Sequence, residues 1–357
     1  MKIALLHDFL LRLGGAERVL EEFSKMFPDA PIFTLLYNEE KCGSVFPRER
    51  VRTSFLQNIP FSRKFHRALL PLMPTAIESF DFSDFDFLLS SSTALSHGAI
   101  VTTKTRHISY IHSPARYLWD YTHQYLREQE NFLKKIIAKR IIHRTRKWDL
   151  VASTRAENLL ANSNNTQSRI KKFWHLDSEV VYPFIDTNKF KVSHNKEDYF
   201  LIISQLSQFK RIDLAISAFN KIRKKLLIVG DGPQRKFLES IAGDNIDFLG
   251  RVSDEEAILL LQNCRAFIFP GEEDFGIAPL EANACGKPIV ALRKGGLMES
   301  QVEGVTARFF DKATTNSLEE AITSFIREED NYKPEKIRKN AERFSKEKFR
   351  KRILDFF

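Results

Sequence analysis

The chain has 357 residues, of which 43% are hydrophobic and 28% charged, with a net charge of +9; this is typical of a globular protein with two domains. No apolar run approaches the ~20 residues of a membrane-spanning helix. The widely spaced cysteines (Cys42, Cys264 and Cys285) indicate neither a disulfide framework nor a zinc site, and they favour a cytosolic protein. No recognised nucleic-acid-binding motif accompanies the positive charge, so we expect no nucleic-acid partner.

The positive charge is concentrated in the segment 102–147, which holds 11 Lys and Arg residues against three acidic residues. In a second basic segment, 48–67, aromatic and aliphatic residues are interspersed with cations. Basic and aromatic residues together are typical of proteins that contact an anionic membrane surface. A solvated basic face is the alternative interpretation, and the sequence leaves both open.

Strand and helix patterns alternate through the first half of the chain. The predicted strands are 2–6, 32–36, 85–90, 107–111, 150–152 and 180–182, and the predicted helices are 16–26 and 129–145. Such alternation predicts a doubly wound parallel sheet, which belongs to the α/β class.

The polar stretch 192–198 is the best candidate for a linker, and strand and helix patterns begin again after it. The predicted strands of the second half are 200–204, 226–229, 246–249, 265–269 and 288–292, and the predicted helices are 212–223, 234–242, 254–262 and 334–357. We therefore expect domains at 1–183 and 184–340, and a terminal helix at 341–357 that packs back on the first domain.

The most informative segment runs from Pro270 to Glu281 and lies between two predicted strands. A helix is expected after Gly276, with Pro279 in its first turn, where a missing N–H costs nothing. Glu273 then lies in the loop at a strand end, and Glu281 lies about two turns into the helix, at ~3.6 residues per turn. Ligands of parallel sheets bind at such strand ends, and the free N–H groups of a helix start suit a phosphate.

Four further segments follow predicted strands and could contact a ligand. Gly14-Gly15 and the Gly230-Asp231-Gly232-Pro233 turn allow a close approach of backbone to phosphate. Lys210 and Arg211 could neutralise a diphosphate, because cations at a helix start are otherwise unfavourable. His112 could donate a hydrogen bond to a sugar or transfer a proton, and the same holds for His7 and Asp8. An ordinary turn or a packed side chain is the alternative interpretation of each.

The sequence offers no cluster of metal ligands. Asp84 and Asp86 have the spacing of a metal-binding pair, but they lead into a predicted strand instead of ending one. We therefore expect no metal and no separate cofactor.

Taken together, the ordered motifs of the chain resemble the retaining glycosyltransferases of family 4, which have the GT-B fold of two Rossmann-like domains facing a central cleft. Among them the chain is most similar to bacterial mannosyltransferases of lipopolysaccharide and exopolysaccharide assembly. The motifs that carry the resemblance are 14–18, 112–119, 182–186, 209–213, 230–233, 249–254 and the pair Glu273 and Glu281.

The resemblance implies roles for individual residues. Glu273 would contact the donor sugar, Glu281 would bind the ribose, Lys210 would bind the diphosphate, and His112 would lie near the transferred sugar. Backbone N–H groups would come from Phe275, Gly276 and Ile277, further phosphate contacts from Gly14, Gly15, Arg211 and Gly230, and contacts to the base from Arg251 and Val252. Many members carry an arginine at the position of Gln205, and a neutral amide cannot replace a guanidinium as a phosphate clamp.

The implied activity is metal-independent transfer of a hexose, with mannose from GDP-mannose expected, to a lipid-linked or oligosaccharide acceptor. The enzyme would be cytosolic at the inner face of the membrane, and an anionic membrane surface is a possible partner. The alternatives are a UDP-sugar-dependent transferase of the same family, a UDP-sugar 2-epimerase, and a non-catalytic transferase-like subunit, which the Gln205 departure would favour.

Overall fold

A computed structural model describes residues 1–127 and 131–357 of the chain. They form two compact units. The first contains Met1–Tyr182 together with Arg352–Phe357, and the second contains Pro183–Lys351. Each unit is built on one parallel β-sheet with accompanying helices, and the predicted fold class of two Rossmann-like domains is confirmed.

The first unit contains a seven-stranded sheet in the order β3-β2-β1-β4-β5-β6-β7. Its strands are β1 (Ile3–Leu10), β2 (Ile32–Tyr37), β3 (Val51–Thr53), β4 (Phe87–Ser92), β5 (Arg106–Ile111), β6 (Asn158–Ala161) and β7 (Glu179–Val180). Its helices are α1 (Gly15–Met26), α2 (Glu39–Cys42), α3 (Met73–Glu78), α4 (Thr122–Arg127), α5 (Phe132–Ala152) and α6 (Asn164–Trp174).

The second unit contains a six-stranded sheet in the order β10-β9-β8-β11-β12-β13. Its strands are β8 (Tyr199–Ile203), β9 (Lys225–Val229), β10 (Ile246–Gly250), β11 (Phe267–Phe269), β12 (Ile289–Leu292) and β13 (Ala307–Phe310). Its helices are α7 (Ile212–Ile222), α8 (Arg235–Ile241), α9 (Asp254–Asn263), α10 (Ile277–Ala284), α11 (Leu297–Ser300), α12 (Thr315–Glu328), α13 (Pro334–Ala341) and α14 (Lys346–Leu354), the last of which runs on into the first unit.

The central strands are hydrophobic along nearly their whole length because parallel sheets are covered by helices. Every residue of β2 is buried, and so are the first four of β8. In the second unit, Phe200 of β8 packs against Phe219 of α7 and Phe325 of α12, with ring centroids 5.3 and 6.2 Å apart. The chain terminus belongs to the first core, since the Phe357 ring lies 5.0 Å from that of Phe27.

The predicted strand at 150–152 is wrong, because these residues form the last turn of α5. The buried residues of that helix are Ile142, Thr145, Asp149 and Ala152, and this spacing of three and four is the helical period. The true neighbouring strand, β6, was missed, and so were β3, β13, α6 and α12. The predicted start of the α5 helix, at residue 129, lies outside the described residues.

Three further properties of the described residues bear on function. No helix among them is both long and apolar enough to cross a membrane. The cysteines are free thiols in the interior, where burial raises the pKa of Cys42 to about 11 and the pKa of Cys264 and Cys285 to about 12. The motif Asp84-Phe85-Asp86 directly precedes β4, as predicted.

The buried carboxylate of Asp8 holds the turn that follows β4. Its oxygens accept hydrogen bonds from the backbone N–H groups of Thr93, Ala94, Leu95 and Ser96, at 2.6–2.9 Å, and from the Thr93 hydroxyl at 2.9 Å. These hydrogen bonds offset the free-energy cost of burying the carboxylate. In the structure Asp8 therefore stabilises the turn after β4, whereas the sequence had left a role in ligand binding or proton transfer open.

We expect Asp8→Ala to lower the free energy of unfolding by about 3 kcal/mol or more, because several buried N–H donors lose a charged acceptor. Asp84→Ala, at an exposed carboxylate of the same unit, should change it by less than ~0.5 kcal/mol. Urea denaturation followed by circular dichroism measures both variants, and equal stability of the two would contradict this role of Asp8.

Candidate functional site

The strand order of the second sheet reverses between β8 and β11, which are neighbours in the sheet. The chain leaves β8 towards β9 on one side, and it leaves β11 towards β12 on the other side. Loops that depart in opposite directions leave a crevice at the carboxyl ends of the two strands, and ligands of open parallel sheets bind there. The loop after β8 carries Lys210, and the loop after β11 carries Glu273.

Lys210 and Glu273 form an ion pair between the lysine Nζ and the carboxylate Oε1. Their side chains are only 19% and 22% exposed, so the pair is shielded from solvent more than a surface salt bridge is. The Lys210 ammonium also lies 5.4 Å from the centre of the Phe209 ring. The sequence-predicted sugar and diphosphate residues are therefore direct neighbours.

The two loops meet because of a glycine. A Cβ atom at Gly271 would lie 2.8 Å from the carbonyl oxygen of Lys210 and 2.9 Å from that of Phe209. Any larger residue would push the Glu273 loop away from the Lys210 loop. The glycine thus permits the contact between the cation and the carboxylate.

Helix α10 starts immediately after Gly276, as predicted. Gly276 has a φ of 87°, which is in the left-handed region that glycine adopts without strain. Pro279 lies in the first turn, and the ring of Phe275 is buried. Glu281 is the fifth residue of α10, so it lies little more than one turn from the start, and the predicted two turns are wrong. The helix starts where the sequence predicted, and five residues at ~3.6 per turn make about one and a half turns instead of two.

The sequence interpretation missed the loop between β12 and α11, which supports Glu273. The N–H of Gly296 donates to the carbonyl oxygen of Glu273 at 2.9 Å. A Cβ atom would lie 2.2 Å from the Glu273 carbonyl oxygen if placed on Gly295, and 2.0 Å from the Asp274 carbonyl oxygen if placed on Gly296. The signal was present, since a Gly-Gly pair between a strand and a helix repeats the pattern of Gly14-Gly15.

Arg211 does not join Lys210 at Glu273. It has a φ of 54° at the start of α7, and its guanidinium pairs with Asp213 at 3.2 Å. Both side chains of this second pair are almost two-fifths exposed. The structure therefore separates the two cations that the sequence had grouped, and only Lys210 lies in the crevice pair with Glu273.

The turns after β9 and β10 lie at the same edge of the sheet. The N–H of Gly230 donates to the carbonyl oxygen of Gly250 at 2.6 Å. A Cβ atom at Gly230 would lie 1.9 Å from the Ser204 carbonyl oxygen, at the start of the Lys210 loop. Arg251 follows as an exposed residue and Val252 as a half-buried one. The predicted base and phosphate contacts are thus continuous with the Lys210 loop.

In the first unit, the strand order reverses between β1 and β4, and a second polar cluster lies there. Gly14 precedes α1 and Gly15 is its first residue. A Cβ atom at Gly14 would lie 2.9 Å from the Glu17 carboxylate, so the glycine leaves room for that carboxylate, whose Oε1 lies 3.7 Å from Nε2 of the buried His7.

His7 and His112 both contact the hydroxyl of Ser91. The Nδ1 of His7 lies 2.8 Å from the Ser91 carbonyl oxygen and 3.1 Å from its Oγ, and the Nε2 of His112 lies 2.8 Å from the same Oγ. The Ser91 carbonyl oxygen can only accept, so Nδ1 of His7 carries a proton. The sequence interpretation missed Ser91, since a serine within a buried strand carries no signal of its own.

The environment of His7 favours its protonated form. Burial on its own would lower the pKa of His7. The Glu17 carboxylate outweighs that effect, with help from Asp8 and Ser91, and the pKa of His7 lies above the ordinary 6.5.

Each unit thus has the strand order of a nucleotide-binding Rossmann-like fold, with polar side chains where that order reverses. Within the described parts of the chain, no three metal-binding side chains lie close enough to hold an ion. The fold defines a protein of the GT-B class.

Comparisons with known proteins identify the family. Residues 13–189 match the family described as "Glycosyltransferase Family 4", and residues 184–344 match "Glycosyl transferases group 1". Together the two matches run through nearly the whole chain in the expected order. The chain belongs to the glycosyltransferases of family 4.

Individual relatives share part of their sequence with the chain, and a solved structure shares its fold. The chain is 28% identical to human alpha-1,3/1,6-mannosyltransferase ALG2, over 57% of each chain. It is 27% identical to O-antigen chain mannosyltransferase C of Escherichia coli, over 38% of this chain and 42% of that one. The chain spans about half the length of the curated relatives it matches. The structure of Anabaena Alr3699/HepE in complex with UDP has a TM-score of 0.72 and 18% identity, over 100% of this chain and 99% of that one.

We expect Glu17→Gln to move the titration of His7 from above to below pH 6.5, because burial then outweighs the remaining charges. Protonated His7 contributes stability that is present below pH 6.5 and is lost as the pH rises through the raised folded-state pKa. NMR titration of the imidazole signals measures the shift. Glu21→Gln, which breaks the exposed pair of Glu21 with Lys25 on the same helix, is the control and should leave His7 unchanged.

Proposed function

We propose that the chain is a retaining glycosyltransferase that transfers a hexose, with mannose from GDP-mannose as the expected donor, to a lipid-linked or oligosaccharide acceptor in the synthesis of a cell-surface polysaccharide. The observation that carries this proposal is the Lys210–Glu273 ion pair at the point where the strand order of the second sheet reverses. A cation for a diphosphate and a carboxylate for sugar hydroxyls lie side by side there.

The ion pair suits the chemistry of the donor. An incoming diphosphate offers the Lys210 ammonium a stronger anionic partner, and the released Glu273 carboxylate then accepts hydrogen bonds from the sugar. The bond between sugar C1 and the diphosphate oxygen breaks, and the acceptor oxygen bonds to C1 from the same face. The acceptor proton passes to the leaving diphosphate, so neither side chain forms a covalent intermediate.

Helix α10 supplies further stabilisation for the leaving group. The N–H groups of Phe275 and Gly276 just before the helix, the N–H of Ile277 at its start, and the positive end of its dipole favour the charge that develops on the diphosphate. With Lys210 they provide this stabilisation without a metal ion in our proposal. Glu281, one turn further along α10, is the proposed ribose ligand.

The remaining proposed contacts differ in their support. Gly230, Arg251 and Val252 lie in turns continuous with the Lys210 loop, which favours their role at the base and phosphates. The partly exposed Arg211 can turn from Asp213 to a bound phosphate. The roles of Gly14, Gly15 and His112 rest on the family resemblance.

The choice of mannose is supported by two relatives that are named mannosyltransferases. A lipid-linked acceptor would place the enzyme at the inner face of the membrane. The second candidate is a UDP-sugar-dependent transferase, and it is favoured by the similarity to Alr3699/HepE, which has been crystallised with UDP and with UDP-glucose.

We expect Lys210→Ala and Glu273→Ala each to reduce kcat by ~100-fold or more, because each removes a group aimed at the reacting diphosphate or sugar. Product formation from radiolabelled nucleotide sugar measures the loss, and thermal melting verifies the fold. The control is Lys225→Ala, which breaks an exposed pair with Asp247 and should retain full activity. Near-normal turnover of either site variant would contradict the proposed roles of Lys210 and Glu273 in sugar transfer.

GDP should raise the melting temperature more than UDP at equal concentration, because the ligand that binds more tightly stabilises the folded state more. A panel of GDP- and UDP-sugars with mass spectrometry of the products identifies the transferred sugar. Stabilisation by UDP alone, with transfer from a UDP-sugar, would replace the mannose proposal by the second candidate and leave the transferase assignment standing.

A further inference from the structure

Helix α5 exposes a group of large apolar side chains at its amino-terminal end. The exposed fractions are 74% for Phe132, 68% for Leu133, 39% for Ile136 and 57% for Ile137. Scattered single apolar residues are normal on a protein surface, but a contiguous group marks a contact site. These four are contiguous because residues three and four apart are neighbours on a helix.

The exposure follows from how the helix is anchored. All buried residues of α5 lie in its second half, from Ile142 onwards. The side chain of Asn131 caps the other end by accepting a hydrogen bond from the Lys134 N–H at 3.1 Å. The amino-terminal turns are therefore formed as helix without being packed into the core, and something other than the core accounts for their apolar side chains.

Cations continue the same outward face of the helix. Arg140 and Arg144 follow Phe132 and Ile136 at four-residue spacing, and Lys147 lies one turn further. All three cations are exposed. Among the described residues none of these three side chains has an ion-pair partner, and further exposed cations flank the face at Lys134, Lys135 and Lys139.

We propose that this α5 surface (Phe132, Leu133, Ile136 and Ile137 with Arg140, Arg144 and Lys147) docks on an anionic lipid membrane. The apolar end would enter the boundary between headgroups and acyl chains, and the cations would lie at the level of the lipid phosphates. The sequence placed excess positive charge in this segment without deciding between a solvated face and a membrane face, and the exposed apolar side chains favour the membrane.

A second copy of the chain fits this surface less well. A two-fold contact brings the same patch of both subunits together, so it would place Arg140, Arg144 and Lys147 of one copy near those of the other. Like charges at an interface are unfavourable, whereas an anionic lipid surface complements all of them. The proposal holds whichever sugar the enzyme transfers.

Co-sedimentation with vesicles tests the proposal on the full chain. The wild type should bind vesicles of phosphatidylglycerol and phosphatidylcholine, bind pure phosphatidylcholine poorly, and bind less as salt is added. Arg140→Gln/Arg144→Gln/Lys147→Gln should lower partitioning about 100-fold, from the loss of three cations near an anionic surface. Leu133→Gln/Ile137→Gln should lower it at least tenfold by removing the inserted side chains.

The matched control removes the same number of positive charges elsewhere. Lys333→Gln/Lys336→Gln/Lys339→Gln changes exposed lysines at α13 in the second unit and should bind vesicles nearly as well as the wild type. An equal loss in this control would show that net charge alone decides binding, and undiminished binding of the two α5 variants would show that another surface docks; either result overturns the proposal.

Two further measurements separate the remaining explanations. Donor binding, followed as thermal stabilisation by nucleotide, should be the same in the α5 variants as in the wild type, so a failure here is distinct from a failure of the proposed transferase function. Sedimentation equilibrium without lipid should give the same mass for all variants. A wild-type dimer that the Leu133→Gln/Ile137→Gln variant abolishes would identify the surface as a contact between copies and overturn the membrane proposal.

Discussion

The parallel pairing of the strands constrains everything else in this molecule. In the described residues each strand pair of both sheets is parallel, so every connection must cross over and the carboxyl ends of the strands share one edge. Where the strand order reverses, adjacent loops diverge and polar side chains from distant parts of the chain meet. Lys210 and Glu273 come together for this reason.

Close backbone contacts then fix the loops at that edge. Glycines at positions 230, 271 and 296 let carbonyl oxygens approach to distances that no Cβ atom permits. Close backbone contacts therefore hold these loops against one another. A site that depends on backbone contacts can change its exposed side chains, such as Arg211 and Arg251, without losing its framework.

The architecture could be predicted from the sequence because apolar strands and amphipathic helices alternate regularly along the chain. The prediction of individual elements failed where a hydrophobic pattern fits both a strand and a helix. Residues 150–152 are apolar enough for a short strand, but they form the last turn of α5, where only Ala152 continues the buried face of the helix and Leu150 and Val151 are exposed. The prediction also failed for contacts that no hydrophobic period predicts. One is the local pairing of Arg211 with Asp213, and another is the long-range support of Glu273 by Gly296. The position of Ser91 between two histidines is known only from the structure, in which its hydroxyl contacts both His7 and His112.

The interior position of the three cysteines has a practical consequence. Thiolates, not thiols, react with maleimides and iodoacetamides, and burial holds the pKa of Cys42, Cys264 and Cys285 far above neutral pH. The native cysteines should therefore react very slowly with such reagents. A single cysteine introduced on an exposed helix could therefore be labelled with a fluorophore or spin label while the native cysteines stay unlabelled. Labels placed at successive surface positions would then measure how deeply each position is buried in a bound partner or membrane.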